Sequence, residues 1–197
     1  MSNSATSRRV QDPRQQILDT VLVLFSERGY FATSVQDISR ESGVSVGSIY
    51  HHFGDKEGIA RALYQTLSER MSHSISRIIA QQGTAHDRCR GIVETLFEMT
   101  EAEPLVMDFM LYAKHRDFLP EEKPICSSKP FELMRTIIAA GMKAGEIRPM
   151  DLMVASSSLF GGPVRMIVAR LDGVLQAPLP RYLDEVWDCA WRSVAAR

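Results

Sequence analysis

Residues 33–56, TSVQDISRESGVSVGSIYHHFGDK, hold two short helical runs separated by a tight turn. Thr33-Ser34-Val35-Gln36 fits a capping box, in which the Thr33 hydroxyl satisfies an orphan N–H and Gln36 reaches back. The helix it opens carries Val35 and Ile38 inward and stops at Gly43. Ser45 caps the next helix, Val46 to Phe53; Gly54 closes it and Asp55 caps a further one. Helices of this length around Gly43-Val44-Ser45 have the dimensions and punctuation of a helix-turn-helix. Val35, Ile38, Val44 and Ile49 form its inward side. Ser45, Gly47, Ser48, His51 and His52 form the outward face, with Val46 and Tyr50 beside it. Small residues there let the backbone approach base edges, and hydroxyls and helix N-terminal N–H groups suit phosphate oxygens. Val46 and the Tyr50 ring suit contact with thymine methyls.

On the N-terminal side, Ile17, Leu18, Val21, Leu22, Leu24 and Phe25 recur at helical spacing from Pro13, and Gly29 ends that run. Beyond Lys56, a long stripe through Ile59, Ala60, Leu63, Leu67, Met71, Ile75 and Ile78 predicts a helix to about Ile79. Further helices are expected at about Asp87 to Glu101, Pro104 to Arg116, Pro130 to Ala144, Leu152 to Leu171 and Arg181 to Ala195. Pro104, Pro130 and Pro180 sit at helix starts, where proline is tolerated. Asp117 to Lys129 reads as a loop. No alternating pattern marks a strand, so the chain is expected to be all-α. The domain reading is a flexible arm over 1–11, a helix-turn-helix head over 12–56 and a larger helical domain over 57–197.

The chain has 197 residues and a formal net charge of -1, so overall charge gives no support for nucleic-acid binding. Residues 1–61 contain seven cations and seven anions. Binding must therefore rest on local placement, with a modest salt dependence per subunit. The three cysteines, Cys89, Cys126 and Cys189, are sparse and far apart, which argues against a disulfide framework. Cys126, in the loop, is the one to test for redox chemistry. The Ser-rich N-terminus has no signal-peptide core, and no stretch approaches the roughly 20 uninterrupted apolar residues of a membrane span. These features point to the cytoplasm.

Three motif matches carry competing chemistry. Gly43-Val44-Ser45-Val46-Gly47 fits the GxSxG nucleophile elbow, but that elbow follows a strand, and a polar helix stands here. An all-α hydrolase is thus a remote alternative and no enzyme is expected. His51-His52 splay apart on a helix, and His86 with Cys89 gives only two ligands, so no metal site is expected. No cofactor motif is present.

The run FATSVQDISRESGVSVGSIYHHFGDKEGIARALY resembles the signature of the TetR (tetracycline-repressor-like) family of transcriptional regulators. Gly145-Glu146-Ile147-Arg148 before a long helix resembles the family's entry into its dimerisation helices. The resemblance implies a homodimeric, sequence-specific repressor of double-stranded operator DNA, released by a small-molecule effector. An activator or global regulator with the same head is the alternative. It implies DNA contacts from Thr33, Ser34, Val46, Gly47, Tyr50, His51, His52 and Lys56, added to Ser45 and Ser48 above. It also implies a minor-groove reach by Arg8 and Arg9. No Arg, Asn or Gln stands on the third helix to read bases bidentately.

In the second half, Phe97, Met107, Asp108, Met110, Tyr112 and Met134 are the expected walls of a pocket for a largely apolar effector. Asp108, Tyr112 and His115 form one polar stripe, better suited to solvent or interhelical pairing than to a ligand. The small residues of Leu152 to Leu171, with Ser157 and Gly161, and Leu183, Val186, Trp187 and Ala190 at helical spacing, are the expected dimer faces.

Overall fold

A computed structural model describes residues 12–81, 83–122 and 127–196. Arg8, Arg9 and Cys126 lie outside the described residues. The elements run α1 (Pro13–Arg28), α2 (Val35–Ser42), α3 (Val46–Phe53), α4 (Lys56–Gln81), α5 (Ala85–Ala102), α6 (Pro104–Tyr112), α7 (His115–Phe118), α8 (Lys129–Lys143) and α9 (Leu152–Leu171). A short 3-10 turn, Leu179–Tyr182, leads into α10 (Leu183–Arg192). Among the described residues, β pairing is confined to an isolated bridge between Ile147 and Ala195. The chain is all-α.

Two compact units divide within α4, one ending at Leu63 and the next beginning at Tyr64. The division falls beyond the first residue of α4 because its opening turns bury Ile59, Ala60 and Leu63. In the first unit, Ile17, Leu18 and Val21 of α1, Ile38 of α2 and Ile49 of α3 are also buried. Gln16 ties α1 to the end of α2, its Nε2 donating to the Ser42 carbonyl at 2.6 Å.

In the second unit, α5 runs among α6, α8, α9 and α10. Its Ile92, Val93 and Phe97 are almost wholly buried. The sequence leads to one helix from Pro104 to Arg116, whereas the chain leaves helical geometry at Ala113 (ψ 122°) and resumes at His115. No Gly or Pro marks this break. The new direction buries His115 against the Phe109 and Tyr64 rings, at centroid distances of 4.9 and 4.6 Å. His115 therefore lies inside the unit, with neither ring nitrogen in a hydrogen bond of good geometry. Burial, the larger influence, pushes its pKa below the ordinary histidine value.

Arg170 of α9 grips Glu101 of α5 with two bonds of 2.9 Å, and the Leu179 amide donates to the same carboxylate at 2.9 Å. These bonds, those from Arg170 first, hold the Glu101 carboxyl below its ordinary value. A depressed folded pKa stabilises fully above the unfolded value of about 4.3, and that stabilisation disappears as pH falls through the folded value. Glu101→Gln is therefore expected to lower Tm by about 2–4 °C at pH 7. Melts repeated near pH 3 should bring the two proteins together.

Candidate nucleic-acid interface and effector cavity

The turn before α3 is fixed by local chemistry. Gly43 closes α2 at φ 69°, a left-handed conformation that favours glycine. Ser39 Oγ donates to the Val44 carbonyl at 2.8 Å, and the Val44 amide donates to Ser42 Oγ at 3.2 Å. Ser45 then caps α3, its hydroxyl oxygen accepting from the Ser48 amide at 3.2 Å. Ile49 points into the core. A methyl group at Gly58 would lie 2.0 Å from the Phe53 carbonyl oxygen, so glycine lets α4 begin this close behind α3.

This anchoring leaves one face of α3 open. Ser45, Gly47, Tyr50, His51 and His52 are exposed, with Val46 and Ser48 half-buried. A Cβ at Gly47 would meet nothing within 4 Å. Tyr50 is 47% exposed, so its ring is available on this face. Arg14, counted in the sequence among the cations but given no position, lies over the Phe53 ring at 5.6 Å and adds positive charge beside α3.

Two expectations at the start of α2 and α4 need correction. Ser34, not Thr33, is the α2 N-cap: its hydroxyl oxygen accepts from the Asp37 amide at 3.1 Å, and Asp37 accepts from the Ser34 amide at 3.0 Å. An ionised carboxylate three residues on completes the box better than Gln36 would one residue earlier. Those Ser34 bonds, with Arg40 behind them, hold Asp37 well below the usual carboxylate range. Thr33 is buried, its hydroxyl donating to the Gly29 carbonyl at 2.9 Å, so it offers no side chain to a phosphate. Lys56 has structural work too. Its ammonium donates to the Tyr30 and Thr33 carbonyls at 3.1 and 3.0 Å and stands 4.2 Å from the centre of the Tyr30 ring.

The GxSxG run lies on the α2–turn–α3 corner, with a helix rather than a strand before Ser45. Its serine is a helix cap, which is not the geometry of a nucleophile elbow. Among the described residues, no group of three or more His, Cys, Asp or Glu is arranged to hold a metal ion.

In the second unit, Met107, Met110 and Met134 meet around an apolar cavity with Met71, Leu96, Phe131, Phe160 and Pro163. Its volume is about 30 Å³, far below the roughly 300–1,000 Å³ of ligand pockets, so admitting a ligand requires its flexible methionines to move. The other three expected wall residues stand elsewhere. Phe97 is fully buried in the core and is not on the cavity wall. Asp108 is half-buried on α6, away from that wall. Tyr112 faces outward and donates to Asp172 at 2.5 Å, a bond that, ahead of burial, pushes its pKa up to about 12. Pro163 escaped the sequence reading. Inside α9 it removes one backbone N–H and so one helical hydrogen bond.

The expected dimer residues divide likewise. Ser157 and Gly161 are exposed on α9 and Val186 is half-buried on α10. Leu183, Trp187 and Ala190 are buried within their own chain, where Trp187 Nε1 donates to His86 Nε2 at 2.9 Å. Helical spacing alone does not separate packing within a chain from packing between chains. The α9 face that stays open carries Met153 and Val154 as well as the small residues. α9 is long and apolar enough by composition to cross a membrane, but Arg170 on it is paired with Glu101.

A capped helix held by its neighbours, with small residues and an aromatic ring turned outward, defines a helix-turn-helix DNA-binding protein. The profile of bacterial regulatory proteins of the tetR family matches residues 17–63, which contain this module. The chain is 27% identical to the HTH-type transcriptional repressor KstR2 of Rhodococcus jostii (strain RHA1) over 146 residues, covering 68% of each. Three other curated relatives match over a shorter stretch, with only 33%, 49% and 38% of their own length covered. A TetR-family regulator from Marinobacter aquaeolei VT8 has the same fold, with a TM-score of 0.78 at 19% identity over 94% of this chain and 96% of that one. FadR from Bacillus subtilis, solved with stearoyl-CoA, aligns with a TM-score of 0.73 at 22% identity over 89% and 96%. Residues 17–63 are thus a tetR-family DNA-binding head, and the chain as a whole is similar to transcriptional regulators of that family.

Proposed function

We propose that the chain is a homodimeric, cytoplasmic repressor. It holds an operator through α3 of each subunit and releases it when a small, largely apolar molecule enters the methionine-lined cavity. The observation that carries this reading is the open face of α3: Gly47, Tyr50, His51 and His52 exposed on a helix whose opposite side is buried at Ile49. Ser34, Ser45, Val46 and Ser48 complete the proposed contact set. Thr33 is withdrawn from it, and Lys56 acts on it by holding the loop before α2.

The dimer is proposed through α9 and α10. Ser157, Ser158, Gly161 and Gly162 give a smooth exposed strip on α9, spaced as one helical face. Arg165 and Glu185 border the groove beside it, so a two-fold axis can set each against its opposite charge. Two subunits are needed because neither one carries enough cations for tight binding alone. Repression and its relief follow from spacing. Recognition helices must stand ~34–36 Å apart to enter successive major grooves. α4 begins in the DNA-binding unit and contributes Met71 to the cavity wall, so a ligand that displaces it alters that spacing. Coupling of about 1–3 kcal/mol is typical of such switches.

Footprinting on DNA from its own promoter region, paired with light scattering of the free protein, tests this reading. The expected result is a dimer and a two-fold symmetric footprint with half-sites one helical turn, or a whole number of turns, apart. A stable monomer at micromolar concentration, or an asymmetric single footprint, would contradict it.

A further inference from the structure

Resting on the DNA-binding reading above, we propose that this chain takes up protons when it binds its operator, with His51 and His52 engaging the DNA as imidazolium cations. α3, VGSIYHHF, carries no Lys or Arg, so these two histidines are the side chains of the recognition helix that can become positive. Both are exposed. His51 stands one turn beyond Gly47, where an added Cβ would meet nothing within 4 Å, so it continues the open strip of the helix. His52 stands one turn beyond Ser48 and borders that strip. Within the chain their contacts are between rings, with each other at a centroid distance of 5.6 Å and from His52 to Phe53. Neither imidazole is bonded to a carboxylate or a carbonyl, so both ring nitrogens are open to an outside partner.

The charges on the elements packed against α3 leave this role to the histidines. On α1, Arg14 lies over the Phe53 ring, Asp19 accepts from Gln15, and Glu27 and Arg28 stand at the other end of the helix. On α2, Asp37 and Glu41 both pair with Arg40. At the start of α4, Lys56 is bonded to two carbonyls, Asp55 accepts from the Gly58 amide at 2.6 Å, and Glu57 pairs with Arg61. Arg40, Lys56 and Arg61 are thus engaged within the unit, and a polyanion on α3 gains local positive charge by protonating its imidazoles. Histidine is the side chain suited to this, because its charge changes between about pH 5 and 8. Charging two rings this close together is opposed by their repulsion, which a phosphate backbone alongside offsets. DNA and protons then strengthen each other's binding, so operator affinity rises as pH falls.

The test is fluorescence anisotropy of the untagged full-length protein on labelled duplexes from its own promoter region, at pH 6, 7 and 8 and constant ionic strength. Wild-type affinity should be about tenfold or more tighter at pH 6 than at pH 8. Its dependence on salt should be steeper at pH 6, because each imidazolium set against a phosphate displaces counterions. His51→Gln/His52→Gln should flatten the pH profile and abolish the difference in salt dependence. His51→Lys/His52→Lys, whose charge is permanent, should also be flat in pH but bind about tenfold or more tighter than the Gln pair at pH 8. Both rings are exposed, so the thermal melts of the three proteins should coincide. Wild-type affinity that does not change between pH 6 and 8, or a pH slope that survives in the Gln pair, overturns the proton linkage and leaves the DNA-binding reading standing. If no duplex is bound at any pH, the DNA-binding reading fails and the linkage fails with it.

Discussion

Tyr50→Ala is expected to weaken operator binding at least thirtyfold while leaving Tm and helical content almost unchanged. The ring is half exposed on α3 and is not part of the core that holds the helix, which is pinned by Ile49 and by the Ser45 cap. Removing one base contact typically costs about 1–3 kcal/mol, and a dimer loses it twice, so about 2–6 kcal/mol is at stake. The loss should be larger on operator than on random DNA, because a ring against base edges discriminates sequence and a phosphate contact does not. Gel shifts on both DNAs, with a melt of each protein, check this. Lys56→Ala is a poorer probe. Its ammonium joins the Tyr30 and Thr33 carbonyls, so its loss loosens the loop before α2 and mixes folding with recognition.

Phe97→Ala is expected to have the opposite signature: stability falls by about 3–5 kcal/mol, with effector affinity altered only as far as the fold is lost. Phe97 is among the largest fully buried side chains and stands apart from the cavity lining. Deleting its ring leaves a void on α5, the helix packed against α6, α8, α9 and α10. Denaturant unfolding measures the loss. Met134→Ala provides the contrast, since Met134 lies on the cavity wall and its truncation enlarges the site as well as destabilising the protein. A Phe97→Ala protein that kept wild-type stability would remove the residue from the core.

The DNA-binding head was legible because its signals are local. Gly43, Ser45, Gly54 and Asp55 act on backbone groups within four residues, so their chemistry can be read from the sequence alone. The one-residue error at Thr33 arose where two hydroxyls compete for the same cap. The winner was decided by Asp37 downstream and by a Gly29 carbonyl that draws Thr33 inward. In the second unit the informative contacts are distant in sequence. Ser128 and Pro163 reach the cavity wall from segments no periodicity connects, while Tyr112 leaves the expected wall for Asp172, 60 residues away. The break at Ala113 has no breaker residue, because what turns the chain there is the burial of His115 among aromatic rings.

Regulation by this chain requires first that α3 read DNA. The most direct measurement is selection of genomic fragments from the source DNA by the purified full-length protein, run in parallel with Tyr50→Ala. Enrichment of a two-fold symmetric sequence by the wild-type protein, absent with the variant, is the predicted result. Equal enrichment by both proteins, or none by either, would contradict it.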